Sequence, residues 1–357
     1  MRPHNLVRTL PENKMLDFEE IVSRRADLGA GLYISLTQRC PMRCAHCCTS
    51  STVTAPHQLA DTTIQTFIKT LADDDPPSFI LMTGGEPLLR PSLVKWIAQH
   101  ARALGVRSQV LTGGFWAPNP TEHVRDALSS VDLVTVSFDS FHAREIEVEA
   151  FLGGLEYLKS INVGVAVQFT HNPENDVFTQ QVLGAIGDRF HGHIPVYLAH
   201  LASVGRWSKP DSSTSADTSH RTVGCIKASW PVVSYTGWIL GCCDQEVCDS
   251  ENPPSHLVLG HVNTANWPQV KRRHSERFSL AAVRACGPRI FETAADESVS
   301  DSENVGYCGP CKRWREPADR NEFLAKRYAE QDGPLRTLGS RMLYRMNQPQ
   351  LLWPGRI

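Results

Sequence analysis

From residue 31 onward, short apolar segments alternate with longer amphipathic ones, and this alternation constrains the fold more than any other feature of the sequence. The apolar segments predict strands, and the amphipathic segments predict the helices that connect them. The predicted strands are 31–36, 79–83, 107–111, 132–137, 163–169 and 194–199, and the predicted helices are about 61–73, 91–104, 121–129, 145–160 and 176–189. Parallel βα units in this order predict an α/β fold with a partial (β/α)₆ TIM-like barrel, whose chemistry belongs at the C-terminal ends of the strands.

Composition narrows the class of protein. The 36 Lys and Arg residues nearly balance the 38 Asp and Glu residues, so no bulk positive charge indicates a nucleic-acid partner. We find no apolar run long enough to span a membrane and no apolar core of a signal peptide. The 11 cysteines are clustered and too few for a disulfide scaffold in 357 residues. We therefore expect a cytoplasmic protein without membrane or nucleic-acid partners, whose cysteines bind metal.

Three cysteines after the first predicted strand form the clearest metal motif. Cys40, Cys44 and Cys47 are separated by three and then two residues, so their thiolates can face one soft metal centre, as in iron–sulfur proteins. Three ligands leave one iron position open for a substrate or cofactor. A zinc knuckle or three unrelated thiols are the alternatives. Cys48 is a poor fourth ligand, because adjacent residues cannot easily turn toward the same centre.

This motif resembles the signature of the radical S-adenosylmethionine (SAM) superfamily, with His46 at a position that is usually aromatic. The resemblance implies that Cys40, Cys44 and Cys47 hold a [4Fe–4S] cluster whose open iron chelates SAM. It further implies that an electron from the cluster cleaves SAM to a 5′-deoxyadenosyl radical, which abstracts hydrogen from a substrate. The family needs an external one-electron reductant, such as a flavodoxin- or ferredoxin-like protein.

A second motif at the end of the second strand strengthens the resemblance. Gly84-Gly85-Glu86-Pro87 matches the family's Gly-Gly-Glu-Pro segment. The glycines would let backbone carbonyls approach the SAM ammonium group, and Glu86 would neutralise it. The third strand leads into Gly113, where relatives often have asparagine. The remaining candidates at strand ends are Ser137, Asp139 and Gln168 for SAM, and His142, Glu145 and His200 for substrate.

The second set of cysteines follows the predicted barrel. Segments 232–235 and 238–240 predict a hairpin around Thr236 and Gly237, and 257–262 predicts another strand before a helix from about 265. Cysteine, hairpin, cysteine and a final Cys-x-x-Cys resemble the twitch domain, a truncated SPASM domain that holds one auxiliary [4Fe–4S] cluster. The resemblance implies the ligands Cys225, Cys242, Cys308 and Cys311. A zinc site, or a redox dithiol of Cys308 and Cys311, are the alternatives.

These assignments divide the chain into four parts. Residues 1–30 are an N-terminal lead-in with a short helix near 18–26, and 31–207 are the radical SAM partial barrel. Residues 208–315 are a small α+β twitch-like domain, and 316–357 are a C-terminal helix and tail. Segments 208–220 and 292–304 are rich in Ser and acidic residues and predict solvated loops.

The reaction follows from the cysteines left after both clusters are filled. Twitch enzymes commonly act as dehydrogenases or epimerases on sugars, aminocyclitols or aminoglycosides. An epimerase needs a thiol that returns a hydrogen atom to the opposite face of the substrate, and Cys248 first and Cys243 second are the candidates. We expect epimerisation of a polar, sugar-like small molecule in natural-product biosynthesis, slightly ahead of dehydrogenation.

Two alternatives belong to other functional classes. A peptide maturase would form a crosslink or an epimerised residue, although the short N-terminal segment disfavours a leader-binding domain. An iron–sulfur scaffold protein without activity is disfavoured by the intact Glu86 and the three motif cysteines.

Overall fold

The computed structural model describes residues 16–117, 119–171, 177–201, 204–207, 224–292, 307–314, 320–330 and 351–352. Its parallel strands are β1 (Gly31–Ser35), β2 (Phe79–Thr83), β3 (Arg107–Thr112), β4 (Leu133–Ser137), β5 (Gly164–His171) and β6 (Val196–His200). The helices between them are α2 (Asp61–Lys69), α3 (Pro91–Ala103), α4 (Glu122–Ser130), α5 (Val148–Ser160) and α6 (Val177–Phe190), and α1 (Phe18–Ser23) precedes β1. The predicted βα alternation is confirmed, with ends that differ by a few residues.

The chain after β6 continues the same sheet. It contributes β7 (Val232–Val233), β8 (Trp238–Leu240), α7 (Gln245–Asp249), β9 (Val258–His261), α8 (Trp267–Glu276), α9 (Phe278–Cys286), α10 (Gly309–Arg313), α11 (Arg320–Glu330) and β10 (Leu351–Leu352). The described strands form one sheet in the order β10-β6-β5-β4-β3-β2-β1-β7-β8-β9. The predicted hairpin is confirmed by the antiparallel pairing of β7 with β8, and β7 also pairs in parallel with β1.

Apolar packing closes one end of the barrel. Helix α1 buries Phe18, Ile21 and Val22 against Phe79 and Leu133, the first residues of β2 and β4. Since these residues lie at the N-terminal ends of the strands, α1 covers the end of the barrel opposite the predicted chemistry. Asp17 begins this helix by accepting a hydrogen bond from the Glu19 amide, a standard N-cap contact.

Some predictions fall outside the described residues. They include residues 1–15 of the lead-in, almost all of the predicted loops 208–220 and 292–304, and the junctions at 207/208 and 315/316. The division into four parts therefore stays a prediction. Within the part of the chain that the structure describes, no helix is long and apolar enough to cross a membrane.

Candidate functional site

The loop that carries the first three cysteines leaves the C-terminal end of β1. Its backbone is fixed on both sides, because the Cys40 amide donates to the Thr52 carbonyl at 3.0 Å and the Gln38 amide donates to the His57 carbonyl at 2.9 Å. Burial raises the pKa of Cys40 and of Cys44 to about 12. The thiols are therefore protonated without metal, and binding a cluster releases their protons.

Two arginines that sequence reasoning missed hold this loop in place. Arg206 donates through Nη1 to the Cys44 carbonyl at 2.7 Å and through its backbone amide to the Cys47 carbonyl at 2.9 Å. Arg90 is buried and donates to the carbonyls of Leu36 and Leu59. Isolated arginines carry no motif, so their role is visible only when distant parts of the chain are brought together.

The two motif glycines pack directly against the entry to the cysteine loop. The Gly85 amide donates to the Thr37 carbonyl at 2.6 Å, and the Glu86 amide donates to the Arg39 carbonyl at 2.8 Å. A Cβ on Gly85 would lie 2.3 Å from the Arg39 carbonyl oxygen, and Gly84 has φ of +138°. Both positions therefore require glycine, because the backbone of one motif is packed on the backbone that leads to the other.

Glu86 is fully buried and joins the ends of β2 and β3. Its carboxylate accepts hydrogen bonds from the Leu88 amide at 2.9 Å, the Gly113 amide at 2.9 Å and the Thr112 hydroxyl at 2.9–3.0 Å. Burial raises its pKa to about 7, although these donors oppose the rise. A cation placed beside this carboxylate would favour its charged form.

Asp139 lies between two histidines beside the cysteine loop. Its Oδ1 is 2.9 Å from Nδ1 of His142, and its Oδ2 is 3.2 Å from Nε2 of His46. Burial raises the pKa of Asp139, but hydrogen bonding to His142 and His46 outweighs it and holds the pKa well below its usual value. The ring of His46 stacks on Phe141 at 4.5 Å, so the histidine fills the place of an aromatic residue in the motif.

The distances between possible ligand atoms show which described side chains could hold a single metal ion. Two sulfurs on one zinc ion lie no more than about 4.6 Å apart, since each Zn–S bond is about 2.3 Å. Among the described residues, His46, Asp139 and His142 are the one group of three or more such side chains whose ligand atoms all lie within 4.8 Å of one another. Neither predicted set of cysteines forms so compact a group among the described residues.

The later cysteines lie near the 3₁₀ turn that precedes β7 (Ile226–Ser229) and near the C-terminal end of β8. Cys225 lies near Cys308 and Cys311, and Cys242 lies near Cys225 and Cys243. Burial, and after it the nearby Asp244, raise the pKa of Cys308 to about 12. The structure thus brings the four predicted ligands into one region, together with Cys243.

A cavity of about 450 Å³ occupies the barrel interior between α1 and these cysteines. Among its lining residues are the predicted Gln168 and Cys243, together with Gln109 from β3 and two cations, Arg25 and Lys227. Cys248 does not line it. Cys248 is 5% exposed, and its Sγ lies 3.9 Å from the Cys242 carbonyl oxygen.

The remaining predicted residues take clear positions. Ser137 ends β4 and pairs in register with Gln168 on β5, so these two predicted SAM contacts are neighbours. Asp139 follows two residues later, next to the cysteine loop. His142 contacts Asp139, whereas the side chain of His200 lies outside the described residues.

The family of the barrel follows from a comparison of sequences. A model described as the radical SAM superfamily matches residues 34–176, which contain both motifs. The chain contains a radical SAM domain. Such domains use SAM and a [4Fe–4S] cluster, and three thiols on an arginine-fixed loop beside a buried carboxylate suit both groups.

Two curated relatives and one solved structure resemble the chain. It is 30% identical over 182 residues to pre-heme d1 synthase of Dinoroseobacter shibae, covering 49% of this chain and 44% of the relative. It is 25% identical over 179 residues to the putative peptide biosynthesis protein YydG of Bacillus subtilis, covering 48% and 54%. The chain thus spans about half the length of the curated relatives it matches.

The structure resembles SuiB of Streptococcus suis bound to S-adenosylmethionine, with a TM-score of 0.53 and 10% identity, over 77% of this chain and 71% of SuiB. At this identity the likeness shows the fold alone. It confirms the mixed α/β fold with a parallel sheet that the radical SAM barrel predicts.

Proposed function

We propose that this radical SAM enzyme epimerises a residue of a peptide, with Cys243 as the thiol that returns a hydrogen atom. The observation that carries the proposal is the position of Cys243, which lines the barrel cavity together with Gln168. The enclosed position of Cys248 makes it the weaker of the two predicted donors. Cys243 therefore replaces Cys248 as our first candidate.

The relatives shift the substrate from a sugar toward a peptide. YydG is described as a putative peptide biosynthesis protein, and neither curated relative reported above is named for a sugar or an aminocyclitol. In the cavity, Gln109 is 4% exposed and its Oε1 has no hydrogen-bond partner among the described residues. A buried acceptor of this kind suits the N–H of a peptide bond.

The proposed ligand sets are those predicted from the sequence. Cys40, Cys44 and Cys47 hold the first [4Fe–4S] cluster, with SAM between it and the segment Gly84–Gly85–Glu86. Cys225, Cys242, Cys308 and Cys311 hold the auxiliary [4Fe–4S] cluster in a twitch-like domain. When bound, SAM and the first cluster supply one-electron chemistry that removes a hydrogen atom from an unactivated carbon.

Cys243 then completes the exchange. Its S–H bond breaks and a new C–H bond forms on the opposite face of the substrate carbon. The sulfur radical that remains takes one electron from an external one-electron reductant and one proton from solvent, which restores the thiol. Because the thiol proton exchanges with water, the inverted carbon carries one solvent-derived hydrogen.

The test is turnover in deuterated water with each short peptide encoded beside the gene for this chain. We expect a product with one deuterium at one inverted residue, detected by chiral amino-acid analysis and mass spectrometry. The Cys243→Ala variant is expected to form 5′-deoxyadenosine but no epimer, whereas Cys248→Ala, the matched control, still gives the epimer. Iron analysis of both variants checks that the clusters are retained.

Four outcomes would contradict the proposal. An epimer formed by Cys243→Ala would exclude this thiol as the donor. A ketone without deuterium would identify a dehydrogenase. A crosslinked peptide, or turnover of a sugar-like compound alone, would identify one of the other reactions or substrates.

A further inference from the structure

The barrel cavity carries two cations and, among the described residues that line it, no acidic side chain. Arg25 follows α1, and Lys227 lies in the turn before β7, so both flank the side of the barrel between β1 and β6. Within the described part of the chain neither forms an ion pair with a carboxylate. Lys227 is exposed and Arg25 is half-buried, so each lies where an anionic group of a ligand can approach it.

Arg25 lies against two aromatic rings, and its Nη1 has no hydrogen-bond partner among the described residues. Its guanidinium carbon lies 4.5 Å from the ring centre of Trp230 and 5.0 Å from that of Tyr33, so two aromatic faces fix its plane. Its Nη2 donates to the Lys227 carbonyl at 3.4 Å. Its Nη1 is buried and has no hydrogen-bond partner among the described residues.

Lys227 and Gln109 complete the polar part of the cavity. Lys227 lines the cavity together with Cys243. Gln109 also lines it and donates through Nε2 to the Thr135 hydroxyl at 2.6 Å, while its buried Oε1 has no hydrogen-bond partner among the described residues. The cavity therefore has two cations, a side-chain amide and the Cys243 thiol among its lining residues.

We propose that Arg25 and Lys227 bind a carboxylate of the substrate while Gln109 accepts one of its N–H groups. The inference rests on the proposed function and names its substrate class, an acidic residue or the C-terminal residue of a peptide. The planar guanidinium of Arg25 matches a carboxylate, and the charge of Lys227 adds to the attraction. A role of Lys227 confined to offsetting the cysteine thiolates would leave the unpartnered Nη1 of Arg25 unexplained.

The test is anaerobic calorimetry on the iron-loaded chain with SAM and two capped amino acids. The probes are N-acetyl-glutamate N-methylamide and its neutral counterpart N-acetyl-glutamine N-methylamide. A charge-assisted hydrogen bond stabilises a complex by about 1.5–3 kcal/mol, so we expect the carboxylate probe to bind at least about tenfold more tightly. Arg25→Gln should abolish this preference, Arg25→Lys should retain part of it, and Lys227→Gln should weaken it.

Arg24→Gln is the matched control, because Arg24 pairs with Asp27 and donates to Ser78 instead of lining the cavity. Its preference should equal that of the wild type. Equal binding of both probes, binding of neither, or an unchanged preference in Arg25→Gln would overturn the proposal. A carboxylate preference without deuterated epimer would leave the subsite standing and remove the proposed function.

The source of the carboxylate is resolved by a parallel titration. Iron coproporphyrin carries the same anionic groups on a tetrapyrrole. If it binds tightly and the capped glutamate does not, the peptide carboxylate is excluded. The expected result is the reverse, with capped glutamate preferred.

Discussion

Replacing Gly85 with alanine is expected to weaken cluster loading and to lower the rate of SAM cleavage at least about 100-fold. The added Cβ would lie 2.3 Å from the Arg39 carbonyl oxygen and 2.6 Å from that of Gln38. Both contacts are to backbone, so the segment that enters the cysteine loop must move. Overpacking of this kind costs about 1–3 kcal/mol. A displacement of about 1 Å at a catalytic centre can lower the rate about 100-fold.

Gly153→Ala is the matched control for this substitution. Gly153 lies in α5, and no atom stands within 4 Å of its added Cβ. Alanine in a helix interior is favoured over glycine by about 0.5–1 kcal/mol, so this variant should be as stable as the wild type or slightly more stable. Iron analysis and 5′-deoxyadenosine formation are measured for both. Normal loading and cleavage in Gly85→Ala would show that the two motifs are not packed as described.

Replacing Glu86 with glutamine is expected to remove the pH dependence of stability that this carboxyl gives the metal-free chain, and to weaken SAM binding. The folded state raises the pKa of Glu86 from 4.5 to about 7, mainly by burial. Between these values the folded chain holds a proton that the unfolded chain releases, so the free energy of unfolding falls as the pH rises. The loss is complete about one pH unit above the folded-state pKa and amounts to roughly 3 kcal/mol.

Glutamine is neutral throughout this range and removes the dependence. The variant should therefore gain stability relative to the wild type as the pH rises from about 4.5 to 7, measured by urea unfolding under reducing conditions. Exposed Glu251 provides the control, and Glu251→Gln should keep the wild-type pH dependence. A pH-independent difference between Glu86→Gln and the wild type would contradict the buried, proton-holding carboxylate.

SAM should bind the wild type more tightly than it binds Glu86→Gln. A bound ammonium group favours the carboxylate, so wild-type Glu86 is expected to contribute to SAM affinity where glutamine cannot. Equilibrium binding of SAM to the iron-loaded proteins measures this. Equal affinity would show that Glu86 serves only to join β2 and β3.

The sequence predicted the barrel well, because its signals are local. Apolar strands such as Phe79–Thr83 and helices such as Pro91–Ala103 carry their own periodicity. The pairing of β7 with β1 could not be predicted, since Val232–Val233 is too short to indicate a partner. The same holds for Leu351–Leu352, which pairs with β6 from a segment without informative pattern.

The residues of the site likewise fall into those that a local sequence signal predicts and those that only the fold brings together. The two motifs indicate SAM chemistry through their resemblance to the radical SAM family, and a family model now covers both. The contacts of Arg206 with the cysteine loop, and of Arg25 with Trp230, join residues more than 150 positions apart. The choice of Cys243 over Cys248 likewise depends on which of the two lines the cavity, and neither flanking sequence reveals it.

The most direct test of the account is whether the cysteine loop holds a cluster that binds and cleaves SAM. The anaerobically reconstituted, reduced chain is examined by EPR with and without SAM, and 5′-deoxyadenosine is measured, with Cys44→Ala as control. We predict that SAM changes the EPR spectrum of the wild type and is cleaved, and that neither occurs in Cys44→Ala. An unchanged wild-type spectrum with no cleavage would contradict the account.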